Sequence, residues 1–277
     1  MARMLSTSSH NAWVNLLTSW GAACALVLAA TASAAAPASS RPTPVPGPAA
    51  AAPSAPSTVL APAPALAPAS KADTMAQRLL ACTACHGPEG RATASGYQPR
   101  IAGKPAGYLF QQLRHFRDGR RSHAAMATLL APLPDAYLRE ISEHFASQDL
   151  PYPAPGQRPP PPGEARRAEA LVKNGDPARK LPACAACHGA LLTGMQPAVP
   201  GLLGLPRDYL IGQIGAWRTG LRHATEPDCM AGISRSLTPD DIGALASWLS
   251  AQAVPVPAHP APAPTRPLPQ DCGSVRP

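Results

Sequence analysis

The sequence predicts an all-α protein with two small tandem domains, and three observations lead to this prediction. Residues 82–133 and 184–237 repeat each other, both copies show helical periodicity, and no segment shows the apolar–polar alternation typical of strands. The 277 residues include 37 prolines and only 4% aromatic residues, which argues against one large core running through the chain. Each copy therefore needs something beyond its own side chains to stabilise it.

The repeat consists of one motif and of the residues that follow it. Cys-x-x-Cys-His-Gly occurs at residues 82–87 and at 184–189, an offset of 102 (184 − 82). Met126 and Leu133 recur as Met230 and Leu237 at an offset of 104, so the second copy has a longer loop before its methionine. The residues that recur at an offset of 101 are Pro99, Gly103, Tyr108, Leu109, Gln112, Arg117, Gly119 and Arg121.

Proline-rich segments divide the chain. Residues 1–36 contain an apolar stretch that ends in small residues, which indicates a cleaved signal peptide or, alternatively, a membrane anchor. In both cases the remainder is exported to an oxidising compartment, expected to be the periplasm. Residues 37–70 consist mainly of Ala, Pro, Ser and Thr and predict an extended spacer. The further predicted boundaries are domain 1 at 71–150, a linker at 151–163, domain 2 at 164–252 and a tail at 253–277.

Periodicity and capping residues predict three helices in each copy. Asp73 is the expected N-cap of the first helix, and Thr238 precedes a proline and two aspartates, a typical helix start. The predicted helices span residues 74–80, 107–116 and 135–146 in the first copy, and 165–173, 208–217 and 239–249 in the second.

The motif Cys-x-x-Cys-His is the attachment signature of c-type haem. Two cysteines three residues apart on a helical turn can each bond one vinyl group, and the following histidine can ligate the iron. A zinc site would not explain a histidine after both cysteine pairs, and a thioredoxin-like pair needs a βαβ unit. The expected haem-binding residues are Cys82, Cys85, Cys184 and Cys187, with His86 and His188 as proximal ligands.

The second axial ligand of each iron is expected to be one of the matched methionines. Met126 lies 40 residues after His86 (126 − 86), and Met230 lies 42 residues after His188 (230 − 188). Methionine ligation raises the reduction potential of a haem. Met195 follows His188 too closely to reach the opposite face of the haem. The alternative ligands are His115, His123 and His223.

These features resemble the diheme cytochromes c of the c-four type, in which two class I cytochrome c domains are fused. The resemblance covers about residues 71–252, and beyond the two haem motifs it rests on the Tyr-Leu pairs at 108 and 209 and on both methionines. Further matching segments are Phe116-Arg-Asp-Gly119, Trp217-Arg-Thr-Gly220, Leu133-Pro-Asp and Leu237-Thr-Pro-Asp. The resemblance implies a quinol-oxidising complex or dehydrogenase as electron donor and a terminal oxidase as acceptor.

Electron transfer is the expected function, because two protein ligands on each iron leave no position for a substrate. An electron-accepting subunit of an exported dehydrogenase is one alternative. A diheme peroxidase is another, and it would need an iron that can open a coordination position. The formal net charge of +8 favours acidic protein partners, and no nucleic-acid partner is expected.

Four arginines recur near the two methionines and are candidates for contacts with the anionic haem propionates. The alternative is that they are solvated residues at helix ends, where cations complement the helix dipole. These arginines are Arg117, Arg121, Arg218 and Arg222.

Two of the seven cysteines remain once the haem motifs and Cys24 of the N-terminal segment are assigned. Cys229 and Cys272 are therefore expected to form a disulfide in an oxidising compartment, the alternative being two unrelated thiols. The bridge would close a loop of about 44 residues, which stabilises a protein by roughly 3–5 kcal/mol in the chain-entropy treatment.

Overall fold

The computed structural model describes residues 73–275, in which α-helices are the main regular structure. The predicted signal peptide or anchor (1–36) and the predicted spacer (37–70) lie outside the described residues. In the part that the structure describes, no helix is long and apolar enough to cross a membrane. We call residues 73–150 the first half, 164–252 the second half and 253–275 the C-terminal arm.

The two halves contain the same sequence of helices. Those of the first half are α1 (Met75–Arg78), α2 (Leu80–His86), α3 (Ala106–Arg117), α4 (Ala124–Leu130) and α5 (Asp135–Ala146). Those of the second half are α6 (Pro162–Lys173, which begins inside the predicted linker), α7 (Cys184–His188), α8 (Arg207–Arg218), α9 (Cys229–Ser236) and α10 (Pro239–Ser250). Short 3-10 turns lie at Pro88–Gly90, Pro177–Arg179 and Gly273–Val275.

The all-α prediction is confirmed, with one small exception. Two antiparallel strands, β1 (Gly194–Met195) and β2 (Val199–Pro200), form a hairpin in which Gly194 pairs with Pro200 and Met195 with Val199. Strands of two residues are too short to show the alternation on which strand prediction depends.

The start of the first helix differs from the prediction. Thr74, not Asp73, is the N-cap: its hydroxyl accepts a hydrogen bond from the Gln77 amide, and the Gln77 side chain accepts one from the Thr74 amide. Asp73 instead pairs with Arg78 at 2.5 Å. The cap lies one residue later because this capping box needs a glutamine or glutamate three residues after the cap. The predicted single helix is also divided at Leu79 into α1 and α2.

Each half has its own hydrophobic cluster beneath its last helix. One apolar face of α5 and one of α10 are buried; these faces consist of Leu138, Ile141 and Phe145, and of Ile242, Leu245 and Leu249. In the first half α5 packs on α3, and in the second half α10 packs on α6 and α8. These clusters lie behind the motif helices, since Cys82 and Cys184 both contact their edges.

The glycine after each haem motif is required by the backbone. Gly87 and Gly189 have φ angles of 77° and 84°, which residues with a Cβ atom rarely adopt. A Cβ on Gly87 would lie 2.2 Å from the carbonyl oxygen of Ala92. The chain can therefore turn away directly after the histidine and leave the histidine at the end of its helix.

Asp241 links three elements of the second half. Its carboxylate, 1% exposed, binds Arg167 of α6 at 2.7 Å and Arg179 at 2.6 Å, and it accepts a hydrogen bond from the Thr238 amide. Burial opposes the charged form, but the hydrogen bonds from Arg179, Thr238 and Arg167 outweigh it and hold the pKa of Asp241 well below its usual range. The carboxylate therefore stays charged and anchors the start of α10.

We expect Asp241→Asn to destabilise the haem-loaded protein by about 2–3 kcal/mol, because it weakens the charge-assisted hydrogen bonds between a buried carboxylate and the partly exposed side chains of Arg167 and Arg179. Denaturant unfolding would measure the loss. A depressed pKa stabilises the fold above the unfolded value of about 3.9, so the deficit should shrink as the pH falls below that value. Asp240→Asn, at an exposed neighbour in the same turn, should cost less than about 1 kcal/mol; equal losses in both variants would contradict this account.

Candidate haem-binding sites

Each half presents two thiols and one imidazole on a single helical turn. Cys82 and Cys85 lie on α2, Cys184 and Cys187 lie on α7, and both helices end at the histidine of the motif. None of the four thiols is in a disulfide. Burial raises the pKa of Cys184 to about 11, which keeps this thiol protonated at neutral pH. This donor set has the composition and spacing that covalent attachment of a c-type haem requires.

The histidine rings are held in one orientation by the backbone. His86 Nδ1 lies 2.9 Å from the carbonyl oxygen of Pro99, and His188 Nδ1 lies 2.8 Å from that of Pro200. A carbonyl only accepts, so Nδ1 carries the proton and Nε2 keeps a free lone pair, as a metal ligand needs. Burial lowers the pKa of both histidines and thus favours the neutral imidazole.

The two matched methionines lie on short helices rather than in loops. Met126 is the third residue of α4, and the side chain of His123 caps that helix by accepting a hydrogen bond from the Met126 amide at 3.3 Å. Met230 is the second residue of α9, which is capped by Asp228. The caps fix where each helix begins and therefore where each methionine lies.

Two of the alternative histidine ligands have other partners. His123 uses Nδ1 as the cap of α4, and its Nε2 lies 3.3 Å from the hydroxyl of Tyr97. His115 is 3% exposed, and its Nε2 lies 3.3 Å from the Thr225 hydroxyl. The ring nitrogens that would ligate iron are thus occupied by hydrogen bonds, whereas the thioethers of Met126 and Met230 have no such competitor among the described hydrogen bonds.

Two of the four predicted arginines meet between the halves. Arg121 and Arg222, 8% and 5% exposed, form an antiparallel backbone bridge. The Gln112 side-chain oxygen accepts hydrogen bonds from Arg121 and from Arg222, both at 2.9 Å. The Gln213 oxygen likewise accepts from Arg222 at 2.8 Å and from Arg121 at 2.6 Å. Each glutamine therefore binds the arginine of its own half and the arginine of the other.

This arginine pair lacks an anion among the described residues. No ion pair there includes Arg121 or Arg222. Burial and the neighbouring Arg121 lower the pKa of Arg222 to about 10. Buried cations are stable only when they are paired, and haem propionates are carboxylates that would pair with guanidinium groups. The residues present therefore fit a haem in each half.

The other two predicted arginines bind protein groups. Arg117 pairs with Asp135 at 2.8 Å and donates to the Leu133 carbonyl at 3.0 Å. Arg218 donates to the carbonyls of Ser234 and Leu237. Both side chains thus hold the connection between the methionine helix and the last helix, and their predicted contact with propionates stays a prediction.

Cys229 and Cys272 are joined by a disulfide, with their Cα atoms 5.3 Å apart. The bond connects the residue before Met230 to the C-terminal arm. Sequence reasoning missed the glutamines that the two arginines share. Gln112 and Gln213 are equivalent residues of the repeat, which was the available signal, but the exchange of partners between copies follows only from their placement.

Comparison with known proteins gives matches along both halves. The chain is 34% identical over 172 residues to "Thiosulfate dehydrogenase electron acceptor" of Thiomonas intermedia, which covers 62% of this chain and 78% of that protein. It is 33% identical over 170 residues to cytochrome c4 of Pseudomonas aeruginosa, which covers 61% of this chain and 82% of that protein. The chain belongs to the cytochrome c4 family. No family model matches it.

Solved structures agree with membership of the cytochrome c4 family. The crystal structure of reduced cytochrome c4 from Pseudomonas stutzeri superposes with a TM-score of 0.55 at 29% identity, covering 64% of this chain and 96% of that one. A thiosulfate dehydrogenase, TsdBA from Marichromatium purpuratum, superposes with a TM-score of 0.53 at 34% identity. That match covers 61% of this chain and only 36% of the TsdBA chain.

Like other members of the cytochrome c4 family, this chain is a diheme electron carrier that holds two covalent haem c groups. In this sequence the predicted attachment residues are the cysteines of the two motifs, which lie on α2 and α7. A bound haem supplies an iron that changes between the ferric and ferrous states, and the protein supplies its orientation and surroundings.

We expect the unmodified protein to contain two covalent haems per chain, counted by a pyridine haemochrome assay. Cys82→Ala and Cys184→Ala should each lose one covalent haem and keep the other, because the two motifs lie on separate helices with separate cores. Cys272→Ser is the matched control outside both motifs and should retain two. One haem per unmodified chain would be incompatible with this assignment.

Proposed function

We propose that this protein accepts electrons from an exported dehydrogenase that oxidises a small sulfur compound, and passes them singly to a downstream oxidising partner. The observation that carries the proposal is the similarity of both halves to "Thiosulfate dehydrogenase electron acceptor" of Thiomonas intermedia. The match to TsdBA of Marichromatium purpuratum adds support, because in that protein a dehydrogenase and a region similar to this chain occur together.

We propose that Met126 and Met230 are the distal ligands of the two irons. Their support is the equivalent placement on α4 and α9, together with the hydrogen bonds that occupy His115 and His123. With a histidine and a methionine on each iron, neither haem would have an open position, which disfavours the peroxidase alternative. Thioether ligation also favours the ferrous state, which suits an acceptor of electrons.

We also propose that the arginine pair connects the two haems electrostatically. Arg121 and Arg222 each contact residues of both halves, and burial weakens the screening of charge around them. A propionate bound to either arginine would therefore interact electrostatically with both haems. This arrangement supports passage of an electron from one haem to the other inside the chain.

The chemistry of the chain indicates its cellular location and the charge of its partners. Covalent haem attachment and the Cys229–Cys272 disulfide both support a location outside the cytoplasm, expected to be the periplasm. The formal net charge of +8 would be partly offset by about four propionate charges. A basic carrier of this kind is steered toward acidic partners, and salt weakens that steering.

A carrier between a quinol-oxidising complex and a terminal oxidase is the second candidate. Its support is the 33% identity to cytochrome c4 of Pseudomonas aeruginosa. The two candidates differ in the donor and share the haem sites, so a direct test of the donor separates them.

We expect Met126→His to lower the reduction potential of one haem and leave the other close to its original value, because imidazole replaces thioether on one iron. Met230→His should do the same to the other haem. Spectroelectrochemical titration of the haem-loaded protein reports both potentials and the long-wavelength sulfur-to-iron band together. Unchanged spectra and potentials in Met→Ala variants at both positions would instead indicate histidine ligation.

We expect purified thiosulfate dehydrogenase with thiosulfate to reduce both haems of this protein, with a rate that falls as ionic strength rises. Stopped-flow absorbance would follow the reduction, and a quinol-oxidising complex with quinol serves as the comparison donor. Rapid reduction by the quinol-oxidising complex alone would favour the second candidate. Steady peroxide turnover by the fully loaded protein would favour the peroxidase alternative.

A further inference from the structure

The C-terminal arm is ordered along the surface of the second half. Although residues 254–269 are rich in proline, Ala261 pairs with the hairpin: its amide donates to the Gly194 carbonyl at 2.8 Å, and its carbonyl accepts from the Gln196 amide at 2.9 Å. His259 lies 3.8 Å from Asp149 of the first half. A segment of this composition has no hydrophobic periodicity. Its path is therefore set by these polar contacts and by the disulfide near its C-terminal end.

The end of the arm binds the segment that precedes Met230. Cys272 is bonded to Cys229, the Gly273 amide donates to the Pro227 carbonyl at 3.0 Å, and the Thr225 amide donates to the Ser274 hydroxyl at 3.1 Å. A Cβ on Gly273 would lie 2.1 Å from the carbonyl oxygen of Glu226, so the two backbones are in close contact. Three successive residues of the arm therefore hold residues 225–229 from one side.

The first half holds the same segment from another side. The Thr225 hydroxyl lies 3.3 Å from Nε2 of His115, which belongs to α3 of the first half. Burial lowers the pKa of His115 to about 4, so the ring stays neutral and keeps this contact at neutral pH. The turn Gly273–Val275 lies against α3 as well. The segment is thus enclosed between the arm and the first half.

The methionine helix of the first half lacks this enclosure. The N-terminus of α4 is capped by His123, whose outer nitrogen contacts the exposed Tyr97. No disulfide and no backbone hydrogen bond to the arm occurs there within the described residues. The two methionines are therefore held by different means, although the helices that carry them are equivalent.

We propose that the C-terminal arm positions Met230, by clamping residues 225–229 between the Cys229–Cys272 disulfide and helix α3 of the first half. This inference rests on the proposed ligation of the second haem by Met230. Met230 directly follows the bridged cysteine, so movement of the segment is transmitted to it without an intervening residue. Axial ligation of the second haem then depends on the arm and on α3 of the first half, and ligation of the first haem by Met126 does not depend on the arm.

The test measures displacement of methionine by imidazole in the full, haem-loaded chain. Loss of the sulfur-to-iron band reports the displacement, and Met126 on the first haem is the internal reference. In Thr225→Val the apparent affinity of one haem for imidazole should rise roughly threefold to tenfold, as loss of one hydrogen bond implies. In Cys272→Ser the rise should exceed about tenfold, because the arm is released.

Controls separate positioning from general stability. Thr225→Ser keeps the hydroxyl and should restore the original imidazole affinity, and Thr219→Val removes a hydroxyl of the second half that is remote from the arm in sequence and should change nothing. Thiol labelling of the unfolded, unreduced mature protein should find no free thiol. If Cys272→Ser fails to fold, Thr225→Val still tests the clamp with the disulfide intact.

Two results would overturn the inference in distinguishable ways. If Met230→Ala leaves the sulfur-to-iron band unchanged, the proposed ligation itself is wrong. If Met230→Ala removes half of the band but Cys272→Ser and Thr225→Val bind imidazole as the unmodified protein does, the ligation stands and the arm does not position Met230. Equal weakening of both haems would likewise show that the arm acts only on overall stability.

Discussion

The hydrogen bond from each motif histidine to a proline carbonyl is the interaction on which the remaining arrangement depends. It joins α2 to the segment before α3 through His86 and Pro99, and it joins α7 to β2 through His188 and Pro200. This hydrogen bond sets the orientation of the ring and keeps the proton on Nδ1, so that Nε2 has the lone pair that would ligate an iron. The helices that carry Met126 and Met230, the proposed distal ligands, would have to match that ring orientation, although the proline carbonyls are distant from them in sequence.

The buried arginine pair shows how a duplicated chain joins its copies. Two guanidinium groups close together in a buried interface repel each other and lose hydration, an arrangement that is unfavourable unless anions are present. Gln112 and Gln213 satisfy some of the donors but carry no charge. In our proposal haem propionates would supply the missing anions, and the contact between the halves would then depend on the same groups as haem binding.

Sequence predicted best what depends on local chemistry. Helix α5 has the bounds that its periodicity and flanking residues indicate, and the haem motifs lie on helical turns as their spacing requires. Local patterns were insufficient where two capping residues compete, as at Asp73 and Thr74, and where a helix is only two turns long, as in α4 and α9. They also carried no information on contacts between residues distant in sequence, such as His115 and Thr225. Nor did they show that the proline-rich arm has a defined path, for which Cys272 was the only signal.

The exchange of glutamine partners between the copies has a consequence for how such a gene can diverge. After a tandem duplication the two copies are free to drift apart, but Gln112 serves Arg222 as well as Arg121, and Gln213 serves Arg121 as well as Arg222. A substitution at either glutamine removes an acceptor from both copies at once. Drift at these four positions is therefore tied together, whereas the surrounding surface and the arm, present once, remain open to specialisation for one copy alone.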